Sequence, residues 1–283
     1  MPPRLQTLLP HHLISGIVRG LTRLHLPPLH TAAIRWFIGA YGVDMNDAEQ
    51  PDPVHYPSFN AFFTRALKVG ARPLAGGAGT LVCPVDGTVS QAGRITGGRI
   101  FQAKGLDYGA ADLLGSDTEA EAYRDGCFAT IYLAPYNYHR IHMPADGRLR
   151  AMQHVPGRLF SVSAPTVAAI PRLFARNERV VCHFSTPHGH MALVLVGALN
   201  VGCMETVWHG VVAPPPRGQP NAAWFHYPED GSGAVTLARG AEMGRFNMGS
   251  TVILLFENAA LDFAAGIRPG EPVRLGQALA FAS

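Results

Sequence analysis

The run Val252-Ile253-Leu254-Leu255-Phe256 constrains the fold of this chain more than any other stretch. Its β-branched and large apolar residues, with no polar break, read as a buried strand, and Gly249-Ser250-Thr251 just ahead of it reads as a tight turn into that strand. Such a place holds one serine still. Glycine at 249 admits a strained or positive-φ backbone and lets another group approach its carbonyl closely, as a serine attacking its own preceding peptide bond requires. Taken alone, Gly-Ser-Thr is a turn, and nothing local makes Ser250 a nucleophile.

From Leu81 onward the same kind of element recurs. Val89, Ile100-Phe101, Phe128 to Leu133, Val180 to Phe184, Ala192 to Val196, Thr206-Val207 and Ala234 to Leu237 are short apolar runs separated by Asp-Gly, Gly-Gly and Pro-containing turns. With 31 Gly, 23 Pro and only 15% charged residues, the balance suits a turn-rich β protein better than a helical bundle. At 283 residues and 47% hydrophobic, the chain has material for a substantial core.

The N-terminal part is different. Leu13, Ile14, Ile17, Val18, Leu21 and Leu24 recur at helical spacing, and a second helix is expected over roughly Thr31 to Ala40. Before Asp44 the chain carries Arg4, Arg19, Arg23 and Arg35 and no acidic residue. Basic, apolar and tryptophan-containing, this segment fits an interfacial helix on an anionic membrane; an ordinary helical hairpin packed on the protein's own core fits as well. A short helix within Tyr56 to Leu67, capped by Ser58, is expected to bury Phe59, Phe62 and Phe63. The fold class is therefore α+β: N-terminal helices, 1–45, followed by a β-rich, barrel- or sandwich-like body, 46–283.

A net charge of +3, with no basic stripe interleaved with aromatics, argues against nucleic acid as a partner. Cys83, Cys127, Cys182 and Cys203 have no Cys-x-x-Cys spacing and read as reduced thiols. The most apolar window, Met191 to Met204, is too short for a membrane span.

Four stretches could carry chemistry. Asp86 in Pro84-Val85-Asp86-Gly87 is either a turn residue or a buried carboxylate. His139 and His142, three apart in Tyr138-His139-Arg140-Ile141-His142, lack acidic or cysteine ligands at a supporting spacing, so no metal is expected there and an acid/base pair is open. His183, His188 and His190 read as a solvated hairpin turn. Ser250 as a nucleophile needs a histidine base oriented by a carboxylate.

Together these stretches resemble the phosphatidylserine decarboxylase proenzyme family, in its shorter bacterial form. The resemblance runs through Phe59 to Pro73, Pro84 to Gly87, Gln102 to Gly105, Tyr138 to Pro144, Gly157 to Val162 and Gly240 to Phe246, then Met248-Gly249-Ser250-Thr251. Met248 replaces the family's leucine, a volume-conserving change, and Ser163-Ala164 departs from an expected asparagine-containing run.

The resemblance implies self-cleavage between Gly249 and Ser250, giving chains 1–249 and 250–283 that remain associated, with a further homodimer. It implies Asp86, His142 and Ser250 as a charge-relay set, and a pyruvoyl group made from Ser250 as the covalent cofactor. Phosphatidylserine would form a Schiff base with that group and leave as phosphatidylethanolamine, with His139 in substrate contact or proton transfer and Ser161 holding the substrate carboxylate. A lipid substrate favours the membrane-docking reading of residues 1–45 and a peripheral location on the cytoplasmic face of the cell membrane. Two other readings remain at this level. A serine hydrolase could use Asp86, His142 and Ser250 without self-cleavage, although it would lack the Gly-x-Ser-x-Gly elbow. A lipoyl- or biotin-carrier-like domain would leave the two histidines unexplained.

Overall fold

In the computed structural model, which describes residues 3–199, 203–214, 223–247 and 251–282, the apolar run is a strand buried at every position, Thr251–Phe256. It pairs antiparallel with Gly189–Val196 on one side and Cys127–Tyr132 on the other, so that Thr251 lies opposite both Val196 and Tyr132. Beyond the first neighbour lie Arg179–Thr186, Gly147–Val155 and Ala223–His226; beyond the second lie Gly87–Arg94 and Pro272–Val273. With Thr236–Leu237 beside Gly147–Val155, the sheet has nine strands among the described residues. Glycine permits the closest approaches: a Cβ at Gly126 would run into the Phe256 carbonyl, and one at Gly87 into the Tyr132 carbonyl.

Of the barrel- or sandwich-like alternatives, a closed barrel is not formed among the described residues. The outermost strands of this sheet, Ala223–His226 and Pro272–Val273, are not paired with each other. The second is only two residues long and begins with a proline, which has no N–H to offer a further strand. Smaller antiparallel sheets accompany it. One orders Gly210–Ala213, Met204–Thr206, Glu242–Phe246 and Arg140–His142; another orders Thr80–Val82, Ala278–Phe281 and Asp262–Phe263. The α+β class therefore stands, as mostly antiparallel open sheets.

Among the described residues three α-helices precede the sheets: α1 (His11–Thr22), α2 (Pro27–Tyr41) and α3 (Phe59–Phe63). α2 starts earlier than its apolar spacing suggests, because Pro27 and Pro28 suit a first helical turn, where no N–H is needed. α3 begins where expected, with Ser58 Oγ accepting from Ala61 N at 3.2 Å. Ile34 and Phe37 of α2 pack with Val43, Tyr56, Phe62 and Phe63 in a small aromatic core separate from the main one. That core draws on residues from both sides of position 45.

α1 is inverted relative to an ordinary surface helix. It buries His11 and Ser15 and leaves Leu13, Ile17 and Leu21 exposed at 64%, 55% and 62%. The helix is tied down by polar contacts: Leu159 N donates to the buried His11 Nδ1 at 3.2 Å, and the exposed His12 Nε2 meets the Gly157 carbonyl at 2.9 Å. No described helix is long and apolar enough to cross a membrane.

Candidate active site

The turn from Thr80–Val82 into Gly87–Arg94 delivers Asp86, which is 7% exposed. Its carboxylate is fully engaged. Arg72 donates from Nε at 3.0 Å and from Nη2 at 2.6 Å, and Leu275 N donates at 2.8 Å. The same guanidinium reaches Asp47 through Nη1 at 2.6 Å, and the two carboxylates hold its pKa above the ordinary arginine value.

His142 ends the strand Arg140–His142, and its backbone N donates to the Pro84 carbonyl at 2.9 Å, which brings it beside the Asp86 turn. The expected Asp86–His142 hydrogen bond is not made. His142 Nδ1 instead lies 2.7 Å from the Gly240 carbonyl, and Nε2 lies 3.1 Å from the Tyr138 hydroxyl. A carbonyl only accepts, so Nδ1 carries the proton and Nε2 is the basic atom, receiving the Tyr138 hydroxyl hydrogen. Burial lowers the His142 pKa; the Gly240 carbonyl, then the Glu242 charge and least of all the Asp86 charge oppose that shift, while Arg140 adds to it. The departure has a structural cause: the two-pronged Arg72 fork holds the carboxylate that sequence reasoning assigns to the imidazole.

His139 is completely buried. Its ring stacks on Phe63 of α3, with centroids 4.1 Å apart at 18°, and Nε2 points at the Pro135 carbonyl at 3.4 Å. Nε2 is thus the protonated nitrogen, while Nδ1 is buried without a partner among the described residues. Burial, then the nearby Arg65 charge, pushes its pKa down to about 3. At neutral pH His139 offers a bare Nδ1 lone pair, so it accepts a proton before it can give one. Tyr138, beside it, has a hydroxyl pKa pushed up to about 12, chiefly by burial, and remains a hydrogen-bond donor.

Ser161 lies apart from this cluster, in a chain of hydroxyls. Its Oγ donates to Ser163 Oγ at 3.2 Å, Ser163 Oγ meets Thr166 Oγ1 at 3.1 Å, and Ser161 N donates to Gln6 Oε1 at 2.9 Å. Two cavities of about 240 Å³ each meet at Thr88. One is polar and lined by Asp86, Arg72, Arg65 and Tyr138; the other is largely aliphatic and lined by Tyr132, Val162 and Val167.

Gly249 and Ser250, the expected cleavage pair, lie outside the described residues, as does Met248. Their neighbours are described. Thr251 is buried in the central sheet, with Oγ1 unpartnered among the described residues, and Phe246 N donates to the His139 carbonyl at 3.0 Å. Thr251 Oγ1 and His139 Nδ1 are thus two buried polar atoms without a partner among the described residues, a chemistry compatible with a polar group derived from the expected cleavage residue. Arg72, Tyr138 and Gly240 were missed as site residues by sequence reasoning. All three sit inside the stretches singled out above, but only folding shows which atom each one meets. The histidine-rich hairpin also differs from expectation: Pro187 and His188 do form its turn, yet His183 is fully buried, stacked on Trp224 and 3.3 Å from Glu119.

A family model described as phosphatidylserine decarboxylase matches residues 59–281, and a second, described as PSD, matches residues 4–42. A phosphatidylserine decarboxylase proenzyme of Acidovorax ebreus (strain TPSY) is 55% identical over 97% of this chain and 95% of its own. One of Stutzerimonas stutzeri (strain A1501) is 51% identical over 97% and 92%, and one of Shewanella halifaxensis (strain HAW-EB4) is 53% identical over 98% and 96%.

Proposed function

The chain belongs to the phosphatidylserine decarboxylase family, and from that premise we propose that it decarboxylates phosphatidylserine to phosphatidylethanolamine after cutting itself between Gly249 and Ser250. The observation that carries this reading is the family match from 59 to 281, which spans the Asp86, His142 and Ser250 stretches together. Ser250 Oγ attacks the Gly249 carbonyl and the peptide C–N bond gives way to an ester. Loss of the residue 250 Cα proton then expels the Gly249 carboxylate, and hydrolysis of the resulting dehydroalanine releases ammonia and leaves a pyruvoyl group.

His142 supports the first step as a neutral base whose Nδ1–H is held by Gly240, so the serine proton goes to Nε2, displacing or passing through the Tyr138 hydroxyl. Asp86 acts on the imidazolium through space, within its ion pair to Arg72. The pyruvoyl group supplies an electrophilic carbonyl for the substrate amine and a sink for the electron pair left by CO2. His139 Nδ1, bare and buried, accepts a proton on the substrate side and returns it, and Ser161 offers a hydroxyl to the substrate carboxylate.

The exposed apolar face of α1 and an apolar groove of about 420 Å³ lined by Leu21, Leu29, Trp36 and Phe37 support docking on an anionic membrane surface. The location proposed is peripheral, on the cytoplasmic face of the cell membrane. The two cleavage chains stay together as a heterodimer, and a homodimer of that pair is part of the same proposal.

Intact masses under denaturing conditions test the reading. Two chains split after Gly249, the smaller carrying a pyruvoyl in place of serine, are expected, with no split in Ser250→Ala. A single intact chain in active material would overturn the mechanism in favour of a hydrolase.

A further inference from the structure

Asn247 is buried and stands two residues before the scissile pair. Its amide is held from two sides. Nδ2 donates to Glu205 Oε2 at 3.1 Å and to Cys203 Sγ at 3.4 Å, while Oδ1 accepts from Asn60 Nδ2 of α3 at 2.9 Å. Its backbone N donates to the Cys203 carbonyl at 2.9 Å. The direction of these bonds is fixed. An ionised Glu205 only accepts, so Asn247 must present its nitrogen there and its oxygen to α3, and Asn60 must then donate.

Asn60 therefore spends its nitrogen on Asn247, and its own Oδ1 is buried without a partner among the described residues. A polar pair oriented at that cost, at the entry to the cleavage segment, is poorly explained by packing alone. Intramolecular attack depends on reacting atoms being held in near-contact, and a shift of about 1 Å can cost roughly 100-fold in rate.

We propose that Asn60 is a positioning residue for self-cleavage, acting through Asn247 to fix the backbone that enters Gly249-Ser250. This makes α3 part of the maturation machinery, and it rests on the self-cleavage reading above. The bond is a donor–acceptor relation, which separates it from a volume effect. Asn60→Asp keeps the shape and loses the donor, and turning the Asn247 amide over would only set its oxygen against Glu205. Replacing Glu205 by glutamine removes that obstacle, because a glutamine can donate to Asn247 Oδ1 while Asn247 Nδ2 turns to face the new carboxylate.

The test follows the split of freshly made full-length chains by intact mass, for wild type, Asn60→Asp, Glu205→Gln and the double variant, with thermal midpoints as a folding control. Maturation of Asn60→Asp is expected to slow by about tenfold or more, the scale of one misdirected buried hydrogen bond. Glu205→Gln alone should mature near the wild-type rate, and the double variant should recover to within about threefold of it. Wild-type speed in Asn60→Asp, or a double variant as slow as Asn60→Asp, overturns the proposal while leaving self-cleavage standing. A wild-type chain that never splits overturns both.

Discussion

The central strand Thr251–Phe256 and helix α1 are both rich in aliphatic residues, yet the fold treats them in opposite ways. The strand is buried on both faces between two neighbours, so every methyl group is removed from water. α1 turns His11 and Ser15 inward and leaves Leu13, Ile17 and Leu21 in solvent. Apolarity by itself therefore does not decide burial. The polar anchors do: His11, His12 and Gln6 bind the Gly157–Ser161 segment and orient the helix with its leucines outward. This open apolar face is the observation on which the membrane docking proposed above rests.

The contrast breaks most sharply on stability. Leu254→Ala in the strand should cost about 2–5 kcal/mol in urea unfolding, through lost burial and the cavity it leaves. Ile17→Ala on α1 should stay within about 0.5 kcal/mol. Equal costs would mean that the α1 face is covered by protein in solution.

Acidification gives the next effect. Burial lowers the pKa of His11, His139, His142 and His183, so these imidazoles stay neutral in the folded chain where unfolded ones take up protons near 6.5. The unfolded state then binds more protons below that pH, and stability falls as pH falls. For His183, whose pKa is pushed down to about 4 by burial against an opposing pull from Glu119, the loss continues across the window between 6.5 and about 4. Arg150 and His190 add to the lowering. His183→Leu should flatten the slope of stability against pH in that window; an unchanged slope would place the acid sensitivity elsewhere.

The smallest effect on the folded protein is expected from exchanging Leu13, Ile17 and Leu21 for Asp. Self-cleavage and thermal midpoint should be kept while binding to anionic liposomes drops. Unchanged liposome binding would remove α1 as the docking face.

Legibility in the sequence followed how local each signal was. The strands around Val89, Phe128, Val180, Ala192 and Val252 announced themselves as apolar runs between turns, and Ser58 announced α3. Gly147–Val155 did not, because Gln153 and His154 are buried there, with His154 Nε2 2.9 Å from Glu178 Oε1. A polar residue that finds its partner across the fold leaves no local mark. His183 was misread for the same reason: the turn beside it is solvated, but its ring is inside the sheet.

The amino-acid sequence alone determined the α+β class, the N-terminal helices and the family, and it singled out the stretches proposed to carry the chemistry. Each of these rests on residue type and spacing within a few positions. Only the tertiary structure decided that the main sheet stays open, that Arg72 rather than His142 holds the Asp86 carboxylate, that Gly240 sets the His142 tautomer and that Asn60 reaches Asn247. Hydrogen-bond direction and burial depend on partners 14 to 187 residues away in the chain, and no local pattern encodes which of several possible partners a side chain will meet.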